Sequence, residues 1–526
     1  MTESLMNLLT NLPIGKKNKN NSILGRFVLF AIFFFFLLTS WKVIFRRLVG
    51  NETNIIFIDT SKSLHHVTGK YFMSFALDSS NIADGFKTFK PSNPKLINLV
   101  SMLGPAYLRI GGNMADQLIY AGHLKDSESI DSEYDGLFEN YIMKENQWIE
   151  LHEFINKTKM ELIFDLNVLN RNPDGSWNST NAENLIHFSA NHNYFSHWEL
   201  GNEPNAFKHQ FNVTINATQL AKDFQQLRNI LNRYPQYKSS MLLGPDTTRP
   251  LTKNSSSVQY FKEFIDSNAT VDVLTWHQYY LNGHNTTCDK FYNIKTFEML
   301  ETQMKTIKNI VSNSEMKNVP VWLGETSSAY GGGAPNLSDS FIGGFLWLDK
   351  LGLAAKHGMD TVIRQSIFGG YYALIDDNYN PNPDWWISLI YKSLVGNRVL
   401  NYYTATNKKV RLYCHCTVEE SLVDHLQGVT VFGINLNSYP TQVEIQILNN
   451  VHYSRHTKVF EYGLTGFGKL TSREIALNNV PLKLTPDGKV PPFKPKIRYL
   501  NSYHVMPPFS IVFWVVHGIS VPLCQV

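Results

Sequence analysis

From Tyr71 onward the sequence alternates short β-rich runs with longer helical stretches, and this alternation limits the possible folds more than any other feature. The candidate strands are 71–77, 106–110, 162–166, 197–200, 241–243, 271–276, 319–323 and 361–365. Amphipathic patterns such as 221–231 and 297–311 lie between several of them. Eight strands alternating with helices over roughly 320 residues are the arithmetic of a (β/α)8 TIM barrel, an α/β fold. A doubly wound open sheet is the rival, but no Gly-x-Gly-x-x-Gly turn follows the first strand.

Beyond residue 397 the texture changes. Segments 410–415, 429–435, 442–447 and 511–516 alternate or run apolar, with turn residues between them, which reads as a small antiparallel β-sandwich. The run 55–58, ahead of the barrel, is expected to add an edge strand to it. The expected organisation is a signal peptide or signal anchor in 1–50, an N-terminal sandwich strand in 51–69, a barrel in 70–396 and the sandwich in 397–526. Within the barrel, 121–147 carries seven acidic residues against Lys125 and Lys144 and is read as an exposed loop.

Composition narrows the class. With 43% hydrophobic and 17% charged residues among 526, wholesale disorder is excluded. A net charge of +4 is too small to indicate a nucleic-acid binder. Cys414 and Cys416 share one side of a strand, so either can reach Cys524, while Cys288 stands apart; four cysteines allow three full pairings. Sequons at Asn51, Asn156, Asn178, Asn212, Asn216, Asn254, Asn268, Asn285 and Asn336 point to the secretory pathway. The unbroken apolar run from Phe27 to Leu38 follows Lys16, Lys17, Lys19 and Arg26 and suits a signal-peptide core. It continues through Trp41, Val43, Ile44 and Phe45, with Lys42 able to snorkel, so a cleaved signal and an uncleaved anchor both stay open. A secreted, lysosomal or membrane-anchored protein facing the lumen or exterior is expected.

The chemistry sits in two motifs. Trp198-Glu199-Leu200-Gly201-Asn202-Glu203-Pro204-Asn205 ends a strand at Gly201 and displays Glu203 at its C-terminal end, where barrel enzymes keep their active sites. Val321-Trp322-Leu323-Gly324-Glu325-Thr326 repeats the grammar of strand, Gly and Glu. As strands four and seven, they bring two carboxyls across one barrel mouth, an arrangement suited to glycoside hydrolysis. One acid protonates the leaving oxygen and the other attacks the anomeric carbon; a separation of about 5–5.5 Å permits a covalent intermediate and retention. Asn202 is placed to bond a sugar 2-hydroxyl, Tyr279 to orient the nucleophile, and Arg109 to keep it ionised. Tyr330-Gly331-Gly332-Gly333-Ala334-Pro335 offers backbone N–H groups for a sugar carboxylate. No metal-ligand spacing or cofactor loop appears, so none is expected.

These residues resemble the animal heparanases. Segments 198–207, 323–335 and 345–353 carry the likeness, with Gly104-Pro105-Ala106-Tyr107-Leu108-Arg109-Ile110-Gly111-Gly112 and 276–283; it runs from about residue 55 to 524. The resemblance implies a retaining endo-β-glucuronidase acting on heparan sulfate, a glycosaminoglycan, with Glu203 as proton donor and Glu325 as nucleophile. It places Gly331, Gly332 and Tyr372 against the glucuronate carboxylate. Asp78 and Asn113 fall at substrate contacts, Asn113 replacing a more usual threonine, and His277 joins the substrate-binding set. It also implies a Cys416–Cys524 disulfide, with Cys414 and Cys288 free, and a monomer as a single chain or processed.

Three departures qualify this. The segment 121–147 is much shorter than the linker that mammalian heparanases excise, which suggests a single-chain enzyme or a trimmed loop. The stretch 244–253 keeps only Arg249 and Lys253 where several bases are expected, which weakens sulfate recognition and makes a less sulfated polymer such as hyaluronan a competitor. The Asn336 sequon directly follows the glycine loop and is expected to be unused. A rival of another class, a catalytically silent heparan sulfate-binding paralogue, lacks the catalytic carboxylates that this chain keeps. An exo-acting β-glucuronidase needs the same two acids and differs only in whether loops block one end of the cleft.

Overall fold

The computed structural model describes residues 54–122, 140–419, 427–448, 454, 456–519 and 521–525. The apolar run at 27–38 and the acidic stretch 123–139 lie outside the described residues.

Strands covered by helices on one face and filled by side chains on the other are buried on both, and these are apolar almost throughout. Barrel strands one to eight are Met73–Asp78, Ala106–Gly111, Met160–Leu166, His197–Leu200, Leu243–Thr247, Val273–Asn282, Val321–Tyr330 and Val362–Gln365. They form one parallel sheet in the order four, three, two, one, eight, seven, six, five. Its ends meet at a single parallel bridge between Trp198 and Leu242, which nearly closes the barrel. The flanking helices bury one stripe each. Ala217–Leu231, for example, buries Leu220, Phe224, Leu227 and Ile230, and Asn216 caps its start by accepting the Gln219 N–H.

Several elements differ from the sequence reading. Strand five lies at Leu243–Thr247 instead of 241–243. It runs through Gly244-Pro245, a pair that reads as a break, because the Asp246 N–H beyond it donates to Thr275 Oγ1 at 3.1 Å. Strands six and seven extend through Asn282 and Tyr330, past the polar residues expected to end them. Those residues are satisfied inside: Thr326 Oγ1 donates to the Gln278 carbonyl, and buried Lys350 donates to the Ser327 carbonyl at 2.9 Å. Part of the expected loop 121–147 is ordered secondary structure. Tyr141–Met143 pairs in parallel with Leu118–Tyr120, and a helix starts at Glu145. Burial of Met143 and Trp148 pulls this end of the segment inward.

The C-terminal sheets take strands from both ends of the chain. Asn54–Asp59 pairs in parallel with Thr441–Leu448 and antiparallel with Asn401–Ala405, so it is an interior strand of a four-stranded sheet and not an edge. His66–Val67 joins the larger sheet through Val395–Val399, a strand that begins ahead of residue 397. Cys416 and Cys524 are bonded, with Cα atoms 5.4 Å apart; Cys414 and Cys288 are free. The helix Gly343–Lys356, buried on almost every side, packs between barrel and sandwich. A Cβ at Gly352 would lie 2.3 Å from the Tyr413 ring, so glycine allows this contact, and Asp349 accepts from Arg411 Nε and Tyr413 Oη at 2.5 Å each.

Candidate active site

Strand four stops at Leu200, and the next residues form a turn whose backbone donors are held by strands three and five and by the 3-10 turn Asn113–Gln117. Gly201 has φ +87°, and a Cβ there would lie 2.5 Å from Val168 Cγ1. Its N–H donates to Asp165 Oδ1 at 2.8 Å, and the Asn202 N–H donates to Asp116 Oδ2 at 2.9 Å. Glu203 takes the left-handed conformation (φ 55°), a strained choice for a non-glycine residue. Its N–H donates to the Asp246 carbonyl at 3.1 Å.

Glu325 is positioned by a β-bulge. Trp276 pairs with Leu323 and His277 with Glu325, so Gly324 is the extra residue. Tyr279 Oη donates to Glu325 Oε1 at 2.5 Å, and Arg109 Nη1 donates to Glu325 Oε2 at 2.8 Å.

Arg109 is fully buried and organises the floor beneath both acids. Nε donates to Glu199 Oε2 at 2.6 Å; Nη2 donates to Asn202 Oδ1 at 3.1 Å and lies 3.4 Å from Asp246 Oδ2. His277 Nδ1 lies 3.1 Å from Glu203 Oε1, and Nε2 lies 3.2 Å from Asp246 Oδ1. Burial opposes the imidazolium, but Glu325, Asp246 and Glu203 more than offset it and raise its pKa to about 10. Burial also opposes the Asp246 charge, yet Arg109 and His277 hold its pKa below the usual carboxylate range. Glu199 goes the other way: burial, against the pull of Arg109, pushes it up to about 8.

The two glutamates line one cleft of about 680 Å³. Asp78, Asn113, Asn202, His277, Tyr279, Gly331, Gly332 and Tyr372 line it too, so every residue expected to touch substrate is brought together there. Gln365 Nε2 donates to Asp78 Oδ2 at 3.0 Å, and Asn202 Nδ2 donates to Asn113 Oδ1 at 3.1 Å. Both ring nitrogens of His277 face carboxylates. Gly331, Gly332 and Gly333 all have positive φ, so their backbone curls around the end of strand seven. Arg249 is the only arginine or lysine among the described residues lining the cleft. It donates to the carbonyls of Tyr279 and Tyr280 and lies 5.7 Å from the Tyr330 ring centroid.

Residues 81–352 match the N-terminal domain of glycosyl hydrolase family 79. The chain belongs to that family. A heparanase from Bos taurus is 34% identical over 87% of this chain and 90% of its own. A protein named inactive heparanase-2, from Homo sapiens, is 31% identical over 90% of both chains. A hyaluronoglucuronidase from Hirudo nipponia is 32% identical over 82% of this chain and 91% of its own. Among solved structures, a 4-O-α-L-rhamnosyl-β-D-glucuronidase from Fusarium oxysporum shares the fold, with a TM-score of 0.62 at 14% identity over 88% of this chain and 99% of that one. This family 79 chain is a glycoside hydrolase with a nearly closed barrel and a mostly antiparallel sheet domain.

Sequence reasoning did not single out Asp246, Glu199, Asp165 or Asp116, which complete the floor around Arg109. A signal was present. Arg109, Asp165 and Glu199 each stand between apolar neighbours inside a strand, where a charge persists only if partners meet it.

Proposed function

We propose that this chain is a retaining endo-β-glucuronidase that cleaves heparan sulfate through a covalent glycosyl-enzyme. The observation that carries the reading is the convergence of Glu203 and Glu325 on one cleft, joined beneath it through His277, Asp246 and Arg109. Glu325, held by Arg109 and Tyr279, attacks the anomeric carbon as Glu203 gives its proton to the departing oxygen. The Glu203 carboxylate then takes a proton from water, which attacks the same carbon and frees Glu325. The second N–H of Asn202 Nδ2 meets the sugar 2-hydroxyl. Backbone N–H groups of Gly331 and Gly332, with Tyr372, receive the glucuronate carboxylate, while Asp78 and Asn113 bond further hydroxyls.

One observation favours a second substrate. A cleft in which Arg249 is the single arginine or lysine among the described lining residues, and that residue tied to backbone carbonyls, offers little to sulfate groups, so a less sulfated glucuronate polymer such as hyaluronan fits as well. Digestion of both polymers with product sizing tests the reading. Oligosaccharides from heparan sulfate are expected, and they disappear in Glu325→Ala. Release of monosaccharide alone refutes endo action, and turnover of hyaluronan alone moves the substrate to the second reading.

The exposed Asn156, Asn212, Asn216, Asn254, Asn268 and Asn285 and half-buried Asn178 support passage through the secretory pathway. No helix among the described residues is long and apolar enough to cross a membrane. The Asn336 side chain is exposed, outside the residues that line the cleft. We read the protein as a monomer that needs no excision of 121–147, which a reducing denaturing gel tests by showing one chain or two.

A further inference from the structure

Asp246 lies against His277, which faces Glu203, and against Arg109, which holds Glu325. It is the next-to-last residue of strand five, in the left-handed conformation (φ 51°), and is buried to 1% exposure. Its carbonyl accepts the Glu203 N–H at 3.1 Å. Its Oδ1 lies 3.2 Å from His277 Nε2 and its Oδ2 3.4 Å from Arg109 Nη2. The space for Oδ1 exists because residue 324 is glycine: a Cβ there would lie 2.6 Å from it. We propose that Asp246 is a positioning residue that couples the acid to the nucleophile, holding His277 against Glu203 and Arg109 against Glu325. This rests on the roles assigned above to Glu203 and Glu325.

The charges around it explain why one carboxylate serves both cations. Glu203, Asp246 and Glu325 face His277; Arg109, His277, Glu199 and Asp165 surround Asp246. Of Asp165, Glu199 and Asp246, the three fully buried carboxyls beside Arg109, burial pushes the first two up while only Asp246 is held down. Beside Glu325, which contributes most, Asp246 therefore supplies a fixed negative charge at Nε2 that helps keep the imidazole protonated and turns Nδ1–H toward Glu203. An imidazolium in that place receives the carboxylate left on Glu203 after proton transfer, and the protein reorganises nothing at that moment. A carboxylate that orients a histidine without touching substrate acts in the same way as the aspartate of hydrolase triads. A structural role alone, pairing Arg109 inside the barrel, asks none of this of His277.

Asp246→Asn keeps the shape and removes the charge. It is expected to lower kcat about a hundredfold with KM changed less than about threefold, because no substrate contact is lost. The His277 ring, followed by NMR of histidine-labelled protein and assigned by the signal missing in His277→Gln, is expected to titrate roughly one to three pH units lower. The alkaline limb of the kcat profile should follow it. Thr275→Val, which removes the acceptor of the Asp246 N–H and a hydroxyl that helps keep the Asp246 carboxyl charged, gives a smaller shift in the same direction and carries the test if Asp246→Asn does not fold. An unchanged His277 titration overturns the proposal, as does a loss confined to stability or KM. Failure of the underlying assignment looks different: the His277 titration moves in Asp246→Asn while Glu203→Gln remains active.

Discussion

A guanidinium with no access to water forces its neighbours to share out charge, and the residues around Arg109 do so unequally. Glu325 and Asp246 sit at its two terminal nitrogens, while Glu199, at Nε, has its pKa pushed up to about 8 by burial. The folded protein therefore keeps a proton on Glu199 up to about pH 8, whereas an unfolded glutamate releases it near 4.5. Between those values the native state binds more protons, so rising pH favours unfolding. Glu199→Gln fixes the neutral form, and its melting temperature is expected to fall less steeply between pH 5 and 8 than that of the unaltered protein, the difference approaching about 1.4 kcal/mol per pH unit. Parallel melting curves would refute this. Glu203→Gln tests the acid: it should lose about 10²–10⁴-fold on a glycan with a poor leaving group and much less on an activated aryl glucuronide. Equal losses on both would show that Glu203 does not donate the proton.

Two elements do the placing, and each depends on glycine for a different reason. In the bulge of strand seven, Gly324 absorbs the extra residue that brings Glu325 beside His277. Past the strand end, Gly331, Gly332 and Gly333 hold φ of 75°, 82° and 89°. A Cβ at Gly333 would lie 2.7 Å from the Tyr372 backbone nitrogen, while one at Gly332 meets nothing within 4 Å. Gly332→Ala is thus expected to cost about 1 kcal/mol of backbone strain alone, and Gly333→Ala distinctly more because the strand-eight loop must move. Denaturant titration of the two variants separates these outcomes, and equal costs would mean the loop yields freely. The strand-Gly-Glu grammar was legible without coordinates; the bulge was not, because register depends on which strand lies alongside.

At the scale of the molecule, the C-terminal sheets gather strands far apart in the sequence, Asn54–Asp59 and His66–Val67 among them. The disulfide between Cys416 and Cys524 spans 108 residues, and a loop of that size is worth about 4–5 kcal/mol in the chain-entropy account. Cys416→Ser combined with Cys524→Ser should lower stability by a comparable amount and leave the cleft's chemistry unchanged, as thermal melts and assays on an aryl glucuronide would show. Charge is divided too. Residues 70–396 hold 27 lysines and arginines against 34 aspartates and glutamates, and 397–526 hold 13 against 7. An acidic barrel makes the approach of a polyanion sensitive to salt in a way that an aryl glucuronide is not.

Sequence by itself determined the alternation of strands and helices, the two glutamates at strand ends, Arg109 within an apolar strand, and the glycine loop. Each follows from local rules: periodicity, turn chemistry and the cost of burying charge. Only the tertiary structure decided that strand five runs through Gly244-Pro245, that strands six and seven continue past polar residues, that Asn54–Asp59 lies inside a sheet, and that Asp246 stands between His277 and Arg109. Those outcomes turn on partners distant in the chain, whose hydrogen bonds and charges repay what a local reading counts as unfavourable.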